Sequence, residues 1–187
     1  MHICIFGASI TWGANDTEGG GWADRLKTYF WQRGDFETDV YNCGISGDKA
    51  ADVLKRFDVE ASARRADKII FSVGINDSSH SVNPQGTPLE EFKEQYRQLI
   101  EKAEVFTKDI LIVGLTNVDE EIEAKNYKNG EIQKYNKVIQ EIAAEKGLIF
   151  VDLFGLLTKE ELTPDGLHPN PQGHKKIFEK ILKVLNG

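Results

Sequence analysis

Five short apolar runs, Ile3 to Phe6, Val40 to Cys43, Lys68 to Val73, Ile110 to Leu115 and Leu148 to Leu153, punctuate the chain. Between them lie longer stretches with apolar residues at helical spacing: Trp22 to Arg33, Ala50 to Ala63, Leu89 to Thr107, Glu131 to Lys146 and Gln172 to Leu185. The runs at Ile69-Ile70-Phe71-Ser72-Val73 and Ile110-Leu111-Ile112-Val113 are nearly continuous rather than alternating, as parallel strands covered on both faces require. The pattern predicts a three-layer α/β/α fold of flavodoxin-like, doubly wound type, with five parallel strands in the order 2-1-3-4-5 and right-handed crossovers.

Local start and stop signals agree with this division. Thr87-Pro88-Leu89-Glu90 predicts a Thr cap, Pro at the first helical position and Glu90 reaching back, and Asn170-Pro171 repeats the cap-plus-Pro arrangement. Gly34 and Gly147 fit helix stops.

The 187 residues amount to one domain, residues 1–187, which buries roughly 70% of its unfolded surface in a single core. A net charge of -7, with basic residues scattered among acids, argues against a nucleic-acid partner, because backbone binding draws on clustered Lys and Arg. No apolar run approaches the ~20 residues of a bilayer span, and Met1 leads straight into a strand-like run, so the expectation is a cytoplasmic protein. Cys4 and Cys43 both fall in apolar runs and are expected to be buried free thiols.

Ligands on doubly wound sheets bind beyond the carboxyl ends of the strands, so the chemistry belongs in the loops that follow the runs. Ser9 follows the first run, Asn42-Cys43-Gly44-Ile45-Ser46-Gly47 closes the second, and Gly74-Ile75-Asn76-Asp77 follows the third. Asp165-Gly166-Leu167-His168-Pro169 lies late in the chain. A serine hydroxyl needs a neighbouring base to act as a nucleophile, which His168 can be, and Asp165 can hold the other ring nitrogen and so fix the tautomer. The backbone N–H groups of Ser9 and Gly44 and the amide of Asn76 are candidate donors to an oxyanion. Asp77 is expected to brace the loops.

These four blocks, in this order and over nearly the whole chain, resemble the SGNH, or GDSL-type, hydrolase family, which takes Ser, Gly, Asn and His from four separate blocks. The resemblance implies a carboxylic ester hydrolase that works through an acyl-enzyme on Ser9 and requires neither cofactor nor metal. The pattern departs from the family at Ala8, where the family has Asp before the nucleophile. Trp12 and His80 are candidate pocket residues, and Ser78–Gly86 and Asn117–Gly130 are candidate pocket walls. His2 and His174 are weaker candidates for chemistry.

Other chemistries fit the pattern less well. An α/β-hydrolase elbow is disfavoured because Thr11 stands where its closing Gly belongs and because Asp165 and His168 share one loop. Gly7 opens no phosphate loop, which disfavours a nucleotide-binding module, and no dense cluster of ligating residues suggests a metallohydrolase. A non-catalytic ester- or carbohydrate-binding descendant is the remaining alternative. The absence of a long apolar lid segment favours acetyl or short-chain esters, including those of carbohydrates, over lysophospholipid or thioester substrates.

Overall fold

The computed structural model describes residues 1–80, 85–123 and 126–186. Five parallel strands form one sheet: β1 (His2–Gly7), β2 (Asp39–Gly44), β3 (Lys68–Ser72), β4 (Ile110–Val113) and β5 (Ile149–Val151). Their order is β2-β1-β3-β4-β5, as the run pattern predicts. In register, Gly7 pairs with Gly44 on one side and with Ser72 on the other. The carboxyl ends of three strands therefore meet at the residue that precedes the Ala8-Ser9 turn.

Two short helices, α1 (Ser9–Trp12) and α5 (Glu120–Glu123), escape the sequence pattern because four residues show no helical period. The longer helices are α2 (Trp22–Gln32), α3 (Ala50–Arg64), α4 (Leu89–Phe106), α6 (Asn129–Glu145) and α7 (Pro171–Leu185). On one face of the sheet α2 packs against α7, and on the other α4 lies between α3 and α6.

The core that positions β1 is largely aromatic. Phe6 contacts Phe57 of α3 at 4.9 Å between ring centroids, and Phe57 contacts Phe71 of β3 at 5.6 Å. The chain of rings continues through Tyr96 and Phe92 of α4 to Tyr135 of α6. Aromatic pairs of this kind add ~0.5–1.5 kcal/mol each beyond area burial, so the strand that leads to Ser9 is fixed from below. Cys4 and Cys43 are buried free thiols, which burial pushes up to about 11 and about 12.

One predicted cap is used differently. Asn170 does cap α7, accepting from the backbone N–H groups of Gln172 and Gly173 at 3.0 and 3.1 Å. Thr87 does not cap α4: its hydroxyl donates to Asp77 Oδ1 at 2.7 Å, and α4 begins after Pro88 without a side-chain cap. A capping hydroxyl must accept a backbone N–H from the N-cap position; here Pro88 occupies that position, so Thr87 lies one residue outside it and its hydroxyl donates to the buried carboxylate instead.

Candidate active site

The chain leaves β1, turns within one residue at Ala8 and starts α1 at Ser9. So tight a return requires a bare backbone at Gly7, where an added Cβ would lie 2.1 Å from Thr11 Oγ1 and 2.4 Å from the Ser72 carbonyl. Thr11 fills that space and donates to the Ser72 carbonyl at 3.2 Å, tying α1 to the end of β3. Ser9 is thereby held above the sheet, with its N–H in the first turn of a helix, where no carbonyl upstream can take it.

His168 reaches Ser9 from the far end of the chain. Its Nε2 lies 2.9 Å from Ser9 Oγ, and its Nδ1 lies 2.7 Å from Asp165 Oδ2. A carboxylate can only accept, so Nδ1 carries the proton and Nε2 is left to accept from the Ser9 hydroxyl. Asp165 Oδ1 also accepts the backbone N–H groups of Leu167 and His168, each at 2.9 Å, and the Thr163 hydroxyl at 2.8 Å. Partial burial pushes this carboxyl up, but the His168 N–H and ring, the Leu167 N–H and the Thr163 hydroxyl outweigh it and hold the group at about 2. The loop is closed at its base by Leu162 bridging to Pro169 and by Thr163 N–H donating to the His168 carbonyl at 2.8 Å.

The other rim of the crevice is built from β2 and β3. Asn76 Nδ2 donates to the Asp48 carbonyl at 2.9 Å, and Asn76 Oδ1 accepts from the Tyr127 hydroxyl at 3.0 Å. The amide is thus oriented from both ends with its second N–H in reserve. Asp77 points away from the crevice, into the protein. Its carboxylate accepts from Ala50 N–H at the start of α3 and from Thr87, and burial, opposed by those hydrogen bonds, raises it to about 6. It braces the loops, as expected.

Gly44 is not placed as the sequence suggests. Its N–H is already donated to Asn42 Oδ1 at 3.0 Å, and an added Cβ would lie 2.4 Å from the Trp12 backbone nitrogen. Gly44 is buried where α1 packs on β2, and that packing is why a glycine stands there. The exposed glycine is Gly47, three residues on. Asp48 N–H donates to the Ile45 carbonyl at 3.1 Å, closing a turn whose third residue, Gly47, sits at φ 87. A turn of that form favours glycine there and leaves its N–H unused, and among the described residues that N–H has no partner. Both glycines lie in one Gly-x-Ser-Gly segment, and choosing between them requires knowing where β2 ends.

The remaining candidates are placed as follows. Trp12 is 57% exposed on α1, one helical turn from Ser9, and Ile45 beside Gly44 is 47% exposed. His80 is exposed, and its backbone N–H donates to the Asn126 carbonyl at 3.0 Å. His174 is fully buried, its ring bonding Trp22 N–H and the Ala14 carbonyl, and burial lowers it, so it is a neutral staple between α7 and the chain around α2. His2 lies 3.8 Å from Asp39 at the opposite end of the sheet. Of the candidate pocket walls, residues 81–84 and 124–125 lie outside the described residues. Among the described residues no three His, Cys, Asp or Glu side chains group as a metal site, and no helix is long and apolar enough to cross a membrane.

A family model described as the GDSL-like Lipase/Acylhydrolase family matches residues 5–176. The chain belongs to that family. This GDSL-like hydrolase is 24% identical over 158 residues to an acetylxylan esterase of Geobacillus stearothermophilus, covering 78% of this chain and 71% of the relative. It is 29% identical over 129 residues to an isoamyl acetate-hydrolyzing esterase of Saccharomyces cerevisiae, covering 60% of this chain and 54% of the relative. The crystal structure of a lipase/acylhydrolase from Enterococcus faecalis superposes with a TM-score of 0.86 at 25% identity, over 100% of this chain and 95% of that one. The protein is accordingly a GDSL-type carboxylic ester hydrolase with the five-stranded fold of its family.

Proposed function

We propose that the protein hydrolyses esters of small acyl groups through an acyl-enzyme on Ser9. The observation that carries this reading is the pair of contacts made by one imidazole, 2.9 Å to Ser9 Oγ and 2.7 Å to Asp165 Oδ2. His168 Nε2 takes the hydroxyl proton as Ser9 Oγ bonds to the ester carbonyl carbon, and the carbonyl π electrons move onto oxygen. Collapse of that intermediate breaks the C–O bond to the alcohol, which leaves with the proton from His168. Water then attacks the acyl-enzyme by the same route, giving the acid and free Ser9.

The oxyanion donors in this reading are the N–H of Ser9, the unused N–H of Gly47 in place of Gly44, and the second N–H of Asn76. The acyl group is assigned as acetyl or a close homologue. The acetylxylan and isoamyl acetate esterases among the relatives act, by name, on acetyl esters, which supports the same assignment. A carbohydrate is the favoured alcohol, on the strength of the first of these relatives.

The test is a series of p-nitrophenyl esters from acetate to palmitate, run beside acetylated xylan, with fluorophosphonate labelling of Ser9. The expected maximum of kcat/KM is at two to four carbons, with Ser9 the labelled residue. A maximum at long chains would overturn the acyl assignment, and an unlabelled Ser9 in folded protein would overturn the mechanism.

A further inference from the structure

We propose that Tyr127 and Arg56, which lie outside the four sequence blocks, are positioning residues that preset the Asn76 amide for the oxyanion. The inference rests on the reading of Asn76 as an oxyanion donor. An amide side chain can flip, and a flipped Asn76 would present a carbonyl to the developing negative charge and repel it. What forbids the flip is the Asp48 carbonyl at 2.9 Å, which can only accept and therefore demands the NH₂ end. The position of that carbonyl depends in turn on the Asp48 side chain. Arg56 holds it, with Nε 2.8 Å and Nη2 2.7 Å from Asp48 Oδ2, both partners largely buried.

Arg56 also reaches the end of β1. Its Nη2 lies 3.4 Å from the Gly7 carbonyl, and its guanidinium lies 5.8 Å from the Phe6 ring centroid. One side chain on α3 thereby ties the strand that carries the nucleophile to the turn that carries Gly47 and Asp48. A fork of fixed geometry suits this task in a way that a Lys point charge does not. Tyr127 works from the opposite end of the amide. Its hydroxyl donates to Asn76 Oδ1 at 3.0 Å, drawing electron density from the nitrogen and strengthening the remaining N–H as a donor. The Asn126 carbonyl next to it accepts from His80 N–H at 3.0 Å and from the Ser79 hydroxyl at 3.3 Å, clipping this segment to the turn that follows Asn76.

The experiment compares Tyr127→Phe, Arg56→Met and Arg56→Lys, each alone and combined with Asn76→Ala. Tyr127→Phe removes one oxygen and leaves the packing, so it remains informative if Arg56→Met does not fold. Each single variant is expected to lower kcat about tenfold with KM unchanged, and to weaken a phenylboronate, which forms a tetrahedral adduct on the nucleophile, by the same factor. In the Asn76→Ala background the same substitutions are expected to cost nothing further, because the group they act through is gone. Losses that multiply in that background, or that appear in KM while boronate affinity is kept, would overturn the proposal. Full turnover by Asn76→Ala alone would instead overturn the underlying assignment of Asn76.

Discussion

The two sides of the crevice are built on different length scales. Asp165 and His168 are set relative to one another by bonds spanning no more than five residues, whereas the Asn76 amide is set by partners 28 and 51 residues away. The base side is a loop closed largely on itself, tied to a distant segment where the Gly166 carbonyl accepts Asp119 N–H at 2.8 Å. The oxyanion side has no geometry until β2, β3, α3 and the segment before α6 have come together. A residue on the first side can therefore be lost with its surroundings intact, while the second side is sensitive to residues that never approach substrate.

The sharpest way to break the contrast is at the nucleophile and base. Ser9→Ala and His168→Ala are expected to lower kcat by ~10⁶ with unchanged thermal unfolding, and Asp165→Asn by ~10⁴ with some loss of stability because the folded loop favours its ionised form, measured on p-nitrophenyl acetate. Turnover within tenfold of wild type in Ser9→Ala or His168→Ala would remove the proposed chemistry. Because Asp165 is held at about 2, it stays ionised, and able to hold the His168 ring, through any working pH.

On the oxyanion side Asn76→Ala is expected to cost ~10²–10³ in kcat with little change in KM. A loss confined to KM would mean that the amide binds substrate and does not stabilise the oxyanion.

Asp77 provides a stability measurement on the same side. Its folded value of about 6 lies above the ordinary 3.8, so the folded state takes up the proton first. Its contribution is therefore most favourable in acid and declines as pH rises from about 4 to about 6. Relative to Asp77→Asn, the wild type is expected to lose on the order of 2–3 kcal/mol across that window in urea unfolding. Parallel pH profiles for the two proteins would show that the buried carboxylate does not titrate there.

The smallest effects separate the two glycines. Gly44→Ala drives a methyl into the Trp12 backbone and is expected to cost about 1–3 kcal/mol of stability. Gly47→Ala meets open space and costs only its backbone strain, ~1 kcal/mol, so its defect should appear in kcat. The reverse pattern in thermal melts and turnover would return the oxyanion role to Gly44.

This difference of scale also explains what the sequence discloses. Strand order, the Asp165/His168 pair and the Asn170 cap are written in periodicity or in neighbours a few residues apart. Ser9 and Asn76 are legible because strand ends predict where chemistry lies. The exchange of Gly44 for Gly47 depends on β2 running on through Gly44 and on the turn that follows it, and the diversion of Thr87 to Asp77 depends on a contact between residues ten apart in sequence. Tyr127 and Arg56 carry no local signal at all: a Tyr before a helix and an Arg inside one read as surface or core until the fold brings them to Asn76 and Asp48.

The bond from His168 to Ser9 joins residues 159 apart. At ~5–20 residues per second, a ribosome takes roughly 8–30 s to make that intervening stretch. Throughout that time the serine is already synthesised, and its base does not yet exist. A nascent or prematurely terminated chain ending just before Asp165 is thus hydrolytically silent even if all five strands have paired. The activity switches on with the docking of one short late loop, which makes the order of synthesis itself a safeguard against a half-made esterase.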